Sequence, residues 1–444
     1  MGIVVFSSTI TTIALSLIMG KVSIFSCSVI GFLILLVTVK ITFCNEKLDK
    51  KENKVIGICF CIVLLCCVLI YWGSIDRYGN PYWEGEDKGD EFMFEDAARQ
   101  LVENNNDSLL YVIKDSTYVR GLNNCKPYIW LMAKLMRWCD IFGGYHVLCY
   151  RIINVFLLTA ASLVFYKEIN KRRELKYLVY LMIFPNIIMI SSFGFRDIIL
   201  YYYISIAYKA TNKPWKQMIV SDYLFLFLSA FGILGTRIES IMWWFVIVVV
   251  NLFYRNSKEI NSRRKIIFIL GLITGFLIAF FSGPYRMLVD NYLKYTSYLM
   301  MDGGLSSIVL GMKLLPFGIV LRFVYGLLQP FPSYLIHFYD NLDSFFGIFR
   351  ILVSIGTLWQ FVNIPYLLRG IRLWHKDAFI YLGIFLSLIL TTYGFRHFLY
   401  VYPFMFEEII LNKEGFSLVR RRNILLLGLA LIGYMGLAYY FLKI

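Results

Sequence analysis

Long apolar segments alternate with short polar ones along most of this chain of 444 residues. Most of the apolar segments are long enough, as helices, to cross a hydrocarbon layer of about 30 Å. We place about thirteen spans, at residues 3–19, 22–43, 55–73, 146–166, 177–195, 197–209, 218–234, 239–254, 266–282, 345–363, 378–393, 396–411 and 424–442. The pattern predicts an all-α, polytopic transmembrane protein with a single membrane domain over residues 1–444.

Charge indicates how these spans are oriented. Hydrophobic residues make up 59% of the chain, and the formal net charge is +15. Lys and Arg are concentrated in short segments between spans, at residues 47–54, 167–176, 209–216, 255–265, 369–376 and 413–422. Short basic loops of this kind remain in the cytoplasm. Because the positive charge is spread over such loops, and not gathered in a basic soluble domain, we expect no nucleic-acid partner.

Two longer segments, 74–145 and 283–343, fall on the opposite side in this topology. The first carries twelve Asp or Glu against eight Lys or Arg. Apolar residues at helical spacing predict a surface helix over 91–103, started by Gly89 or Asp90, and a second short helix over 128–138. We expect Glu95 and Asp96 on the solvated face of the first helix. The segment 283–343 is interrupted by glycine and proline, which predicts surface helices or a re-entrant hairpin.

Cysteine and histidine suggest no cofactor. The four histidines have no zinc-binding spacing, and there is no phosphate-binding loop or dinucleotide fingerprint. We therefore predict no metal site and no cofactor, although a divalent cation at Glu86-Asp87 is left open. Cys125 and Cys139 lie in the same predicted outer segment, and the sequence leaves open whether they form a disulfide.

Charged residues at the predicted outer ends of spans are the strongest candidates for chemistry, because charge next to lipid is costly. They are Asp90 and Glu91 in the acidic segment, four arginines (Arg196, Arg237, Arg322 and Arg396) and three neighbours of these (Asp197, Glu239 and His397). A guanidinium binds phosphate through two parallel hydrogen bonds, and a carboxylate beside it can accept a proton from a hydroxyl. We predict group transfer from a phosphate-linked donor, with Asp90 or Glu91 as the catalytic base.

In this prediction the four arginines bind the donor phosphate, and the three neighbours support them. Two simpler interpretations compete with it. The arginines could anchor span ends at the interface or form local ion pairs. The pair Asp90-Glu91 could serve only to favour the start of a helix.

Several motifs are similar to those of known membrane enzymes. The segments Gly89-Asp90-Glu91-Phe92, Pro127-Tyr128-Ile129 and Tyr150-Arg151-Ile152-Ile153-Asn154-Val155 resemble the beginning of the GT-C superfamily of membrane glycosyltransferases. A proline-containing span that ends in Arg196-Asp197, the turn Pro330-Phe331-Pro332, and Arg396 followed by Tyr402-Pro403-Phe404 resemble Wzy-type polysaccharide (O-antigen) repeat-unit polymerases. The GT-C resemblance implies a polyprenyl-phosphate-linked donor and an acidic catalytic residue, whereas the Wzy resemblance gives more weight to the arginines.

From these features we expect a membrane glycosyltransferase on the outer face of a bacterial inner membrane, which polymerises or extends a surface polysaccharide. Its expected partners are an undecaprenyl-diphosphate-linked oligosaccharide and the lipid bilayer. Association with other polysaccharide-assembly proteins is left open. The alternative function is a transporter or flippase of lipid-linked oligosaccharide, which would also place arginines in a wet cavity.

Overall fold

The computed structural model describes residues 1–254, 271, 309, 318–328, 335 and 338–442, apart from residues 45, 84–88, 116–121, 123, 171, 214–216 and 392–394. Every regular element within these residues is a helix, so the predicted all-α class is confirmed. The chain forms two compact units, Met1–Ala210 with Ser221–Ile241 and Pro332–Gly356, and Thr211–Val220 with Met242–Phe331 and Thr357–Ile444.

The first unit contains most of the long apolar helices. Its helices are α1 (Gly2–Met19), α2 (Ser23–Thr42), α3 (Lys50–Tyr78), α4 (Asp90–Glu103), α5 (Leu109–Asp115), α6 (Lys126–Ile141), α7 (Val147–Glu168), α8 (Leu175–Ile183), α9 (Pro185–Ser191), α10 (Asp197–Thr211) and α11 (Val220–Thr236). A short 3₁₀ helix, Ile238–Ser240, follows α11.

The remaining helices are mostly in the second unit. They are α12 (Ile241–Tyr254), α13 (Ile319–Leu327), α14 (Phe345–Val362), α15 (Ile364–Arg372), α16 (Lys376–Thr391), α17 (Tyr402–Glu414) and α18 (Leu418–Leu442), with 3₁₀ helices at Tyr339–Asn341 and Phe395–Tyr400. The first part of α14, up to Gly356, belongs to the first unit. The predicted span 266–282 and most of the segment 283–343 lie outside the described residues.

Five helical segments among the described residues are long and apolar enough to cross a membrane: α1, α2, α3, α7 and the run Phe345–Arg372. Two shorter apolar helices, Val220–Thr236 and Ile238–Tyr254, accompany them. The chain therefore has several helices suited to a multi-pass membrane protein. The finer expectation of about thirteen spans is not confirmed, because many of the predicted spans form helices that are shorter than a bilayer requires.

Local chemistry explains where the helices begin and end. A capping box starts α3: the Asp49 side chain accepts from the Glu52 backbone N–H, while the Glu52 carboxylate accepts from the Asp49 N–H at 2.8 Å. The predicted span 177–195 is instead two helices, since Pro185 cannot donate a backbone hydrogen bond and begins α9 as a first-turn residue. Glycine in the left-handed conformation ends α1 and α3, at Gly20 and Gly79.

Helix α7 forms the core of the first unit. The apolar stretch of α7 that is long enough to cross a membrane is fully buried, unlike that of any other described span. Helix α2 approaches it closely at Gly31, where an added Cβ would lie only 2.4 Å from a ring carbon of Phe156. A helix buried on every side places its few polar residues inside the protein, and Arg151 and Asn154 are the two such residues with the largest polar groups.

Candidate functional site

The acidic segment folds as predicted at its start. Helix α4 begins at Asp90, with Gly89 as its N-cap and both Asp90 and Glu91 in the first turn, where carboxylates favour the helix dipole. Its apolar face, including Phe94 and Leu101, is buried. The second predicted helix is also present as α6, which extends beyond the predicted 128–138 at both ends; Pro127 in its first turn favours the earlier start.

Glu91 is buried in an ion pair with Arg151 of α7. Arg151 Nε donates to Glu91 Oε1 at 3.0 Å, and Arg151 Nη2 donates to Glu91 Oε2 at 3.0 Å. The two side chains are 0% and 1% exposed. The backbone N–H of Gly194 donates to the same Oε1, and Arg151 also donates to the Pro81 carbonyl. Each carboxylate oxygen therefore already accepts at least one charge-assisted hydrogen bond.

The loop between α9 and α10 is held in place by this pair and by two further polar side chains. Asn154 donates from Nδ2 to the Phe193 carbonyl at 2.8 Å, and the Tyr128 hydroxyl donates to the Gly194 carbonyl at 3.2 Å. An added Cβ on Gly194 would lie 2.7 Å from Glu91 Oε1, so glycine permits the close approach. The pKa of the Tyr128 hydroxyl is raised well above its usual value by burial, which keeps it protonated as a donor.

Arg196 is the last residue of this loop, and it is a mostly buried cation with 6% exposure. Its Nη1 donates to the Thr236 carbonyl at 3.1 Å, and its guanidinium lies over the Phe94 ring with 5.0 Å to the centroid. These contacts hold one end of the planar guanidinium group of Arg196. Among the described residues, no carboxylate forms an ion pair with Arg196.

Arg237 lies in the same region, at the end of α11, and is 7% exposed. Its Nη1 is 3.8 Å from Asp197 Oδ1, and its Nε is 3.9 Å from Glu239 Oε2. Both separations exceed a direct hydrogen bond, so these are ion pairs without a hydrogen bond between the atoms named. Glu239 Oε1 accepts from Asn124 Nδ2 at 3.3 Å, whereas the buried Oε2 accepts no hydrogen bond from the described part of the chain.

Asp90 and Cys125 adjoin this group. Asp90 lies one turn before Phe94 on α4, and the Phe94 ring contacts the Arg196 guanidinium; Cys125 follows Asn124, which donates to Glu239. Burial raises the pKa of the Cys125 thiol to about 11. We name this group the Arg196 cluster; its members are Asp90, Cys125, Arg196, Asp197, Arg237 and Glu239.

The other predicted site residues belong to the second unit. Arg322 is 4% and His397 is 5% exposed, and Arg396 is half-buried. Phe323, next to Arg322, and Phe398, next to His397, both contact the Phe385 ring of α16, at 5.1 and 5.7 Å between centroids. Within its own unit, the structure therefore brings the segments of Arg322 and His397 to one ring of α16.

One expectation from the sequence is wrong. Glu95 is not on a solvated face: its side chain is 3% exposed and accepts from the Tyr82 hydroxyl at 3.0 Å and from Arg99 at 2.8 Å. It is buried because it lies one turn after Glu91 on the same face of α4. Asp96, by contrast, is half-buried.

The disulfide between Cys125 and Cys139 is ruled out by helix geometry. Cys125 caps the beginning of α6 and Cys139 lies in its last turn. Fourteen residues of α-helix rise about 21 Å, whereas the Cα atoms of a disulfide lie less than about 7 Å apart. Both cysteines are free. The suggested cation site at Glu86-Asp87 lies outside the described residues.

The sequence interpretation overlooked Arg151, Asn154 and Gly194, which position the cluster. A signal for Arg151 was available, since an arginine inside an apolar span needs a buried partner. Nothing local identified that partner, because Glu91 is 60 residues away. Comparisons of the chain with protein-family models, curated proteins and solved structures gave no significant match.

Proposed function

We propose that this protein is a membrane glycosyltransferase that uses an undecaprenyl-diphosphate-linked glycan as donor and polymerises or extends a bacterial surface polysaccharide. The proposal is supported mainly by one observation. Arg196 donates to the carbonyl of Thr236, the residue before Arg237, and the Arg237 guanidinium lies 3.8 Å from Asp197 and 3.9 Å from Glu239, so two guanidinium groups and two carboxylates converge within one unit. Such a site offers donors for phosphate oxygens and acceptors for sugar hydroxyls.

Within this proposal, Arg196 is the main ligand of the donor diphosphate, because its described contacts hold only one end of the fork. Arg237 is drawn towards Asp197 and Glu239 and contributes mostly charge. Asp90 is half-buried in the first turn of α4, and we assign its carboxylate the role of accepting the proton of the acceptor hydroxyl. Glu91 is left out of the chemistry, since both of its oxygens are already engaged by Arg151 and Gly194.

The proposed transfer is a single displacement. The acceptor hydroxyl attacks the anomeric carbon of the donor, the new C–O bond forms, and the bond from that carbon to the diphosphate oxygen breaks. Asp90 accepts the hydroxyl proton, and undecaprenyl diphosphate leaves with the bonding electrons. Arg196 stabilises the negative charge that develops on the leaving phosphate.

The topology that belongs to this function has about thirteen spans, with the Arg196 cluster on the extracytoplasmic side of the inner membrane and Arg420 to Arg422 in the cytoplasm. It can be tested with a membrane-impermeant maleimide on intact spheroplasts. We expect a Tyr111→Cys variant to react and an Arg421→Cys variant to remain unlabelled until the membrane is permeabilised. The reverse pattern would refute the topology.

Activity in detergent separates a transferase from a transporter of the same lipid-linked glycan. Purified, detergent-solubilised protein has no compartments to transport between, but a transferase still converts undecaprenyl-diphosphate-linked glycan into a longer product. We expect this product from the wild type and from a control variant, Arg77→Lys, whose ion pair with Asp343 lies at the surface. We expect it to be lost in Arg196→Lys. Wild-type protein that moves the glycan across liposomes but never lengthens it would support the transporter instead.

A further inference from the structure

Three cysteines far apart in sequence form one buried group in the first unit. Cys27 of α2, Cys139 of α6 and Cys149 of α7 are each 0% exposed, and their three sulfur atoms lie within 4.8 Å of one another. The sulfurs of Cys27 and Cys139 are 3.6 Å apart. This group is independent of the Arg196 cluster, and the proposed transfer does not use it.

Two turns explain why these cysteines meet. Gly143 and Gly144 adopt φ angles of +93° and +92°, which allow α6 to reverse tightly into α7 and place Cys139 beside Cys149. The turn between α1 and α2 is bonded to this reversal. Ser23 donates from its backbone N–H to the Phe142 carbonyl at 2.9 Å and from its hydroxyl to the Gly144 carbonyl at 2.6 Å. Cys27 lies one turn after Ser23 and is thereby fixed against the other two.

We propose that Cys27, Cys139 and Cys149 form a binding site for a thiophilic d¹⁰ metal ion, Zn²⁺ or Cu⁺. Thiolate sulfurs are the ligands that both ions prefer. Around a tetrahedral ion with metal–sulfur bonds of about 2.3 Å, neighbouring sulfurs lie about 3.8 Å apart. The separations here, from 3.6 Å up to at most 4.8 Å, span this value, so a small inward movement of the side chains closes the site.

The surroundings can support the charge of such a site. Binding of Zn²⁺ by three thiols releases three protons and leaves one net negative charge. Cys149 is the third residue of α7, a helix of 22 residues whose N-terminus carries partial positive charge. The Lys21 ammonium is anchored on the Gly143 carbonyl at 2.6 Å, next to the same turn.

Ser23 gives the site its fourth polar group and allows the two ions to be distinguished. The Cys149 thiol contacts the Ser23 hydroxyl at 3.5 Å. With the Ser23 oxygen as the fourth ligand, three sulfurs and one oxygen suit tetrahedral Zn²⁺. Three sulfurs alone suit Cu⁺.

The test is elemental analysis of the full-length protein in detergent, purified without chelator. We expect about one equivalent of zinc or copper per chain, as for a single closed site, and loss of it to background in Cys27→Ser, Cys139→Ser and Cys149→Ser. The matched control is Cys59→Ala on α3, which is also buried and should retain the metal. Ser23→Ala should weaken the binding of zinc by on the order of 10-fold, as is typical when a polar group that supports a metal site is removed.

A second measurement avoids the variants, in case they do not fold. The wild-type protein is stripped with a zinc chelator or a copper(I)-specific chelator and retitrated with Zn²⁺ or Cu⁺, while thermal unfolding is followed. We expect one of the ions to restore the melting temperature lost on stripping. The proposal is overturned if neither ion binds the stripped protein, or if mass spectrometry of the purified protein finds two of the three cysteines joined as a disulfide.

Discussion

The Glu91–Arg151 pair and the Arg196 cluster use the same residue types in the same unit, but their geometry differs. The first is closed: Arg151 and Glu91 are almost fully buried and meet through two hydrogen bonds of 3.0 Å. In the second, Arg237 lies 3.8 Å from Asp197 and 3.9 Å from Glu239, and Glu239 is 21% exposed. A buried pair joined by two short hydrogen bonds is suited to support the fold, and we assign ligand binding to the more loosely paired second group.

The difference is clearest in the neighbours Asp90 and Glu91. Successive helix residues point about 100° apart, so α4 directs Glu91 into the core and leaves Asp90 half-buried, one turn before the Phe94 ring that contacts Arg196. We infer that one carboxylate supports the fold and the other is available for chemistry.

Removal of Arg151 should disrupt folding. Arg151→Ala leaves Glu91 buried without its charged partner, which typically costs about 3–5 kcal/mol. We expect little folded protein in the membrane and a strongly lowered melting temperature in detergent. Arg77→Ala is the control, because its pair with Asp343 is exposed and should contribute less than about 1 kcal/mol. Normal stability of Arg151→Ala would show that the buried pair does not support the fold.

The two arginines of the Arg196 cluster should respond differently to replacement by lysine. Arg196→Lys removes the fork that we assign to the donor phosphate, and we expect a loss of activity on the order of 10², as for removal of one such donor. Arg237→Lys keeps a positive charge between Asp197 and Glu239 and should lose less. Both rates are measured in detergent, per amount of folded protein. Equal losses would remove the distinction between the two arginines.

The smallest effect concerns Glu95, the second buried carboxylate of α4. Burial raises the pKa of Glu95 above its usual 4.5, although Tyr82 and Arg99 oppose the shift. Because the folded state holds the proton more tightly, the stability contributed by this group is present below pH 4.5 and is lost as the pH rises through the raised value. Glu95→Gln should flatten the dependence of melting temperature on pH above 4.5, because the amide cannot lose a proton. An unchanged pH dependence would contradict this assignment.

The sequence was sufficient for the parts of the molecule that depend on local pattern. Apolar spacing and first-turn carboxylates placed α4, and the mean hydropathy of +0.65 reflects the membrane class. The sequence could not predict which residues that are distant along the chain contact one another in the fold. The burial of Glu95 and the pairing of Glu91 depend on where Arg151 and Tyr82 lie in the fold, and Cys27 and Cys139 meet although they are 112 residues apart. Which side chain of a pair enters the core is decided by tertiary packing.

The most direct test of the account compares amide variants of the two adjacent carboxylates, with half-buried Asp96→Asn and exposed Glu103→Gln as controls on the same helix. If Asp90 is the general base, Asp90→Asn should fold normally and lose on the order of 10²–10⁴ in the rate of glycan transfer. Glu91→Gln should instead lower the melting temperature, while the protein that does fold retains activity. Wild-type transfer rates for well-folded Asp90→Asn, measured with undecaprenyl-diphosphate-linked glycan in detergent, would contradict the central claim.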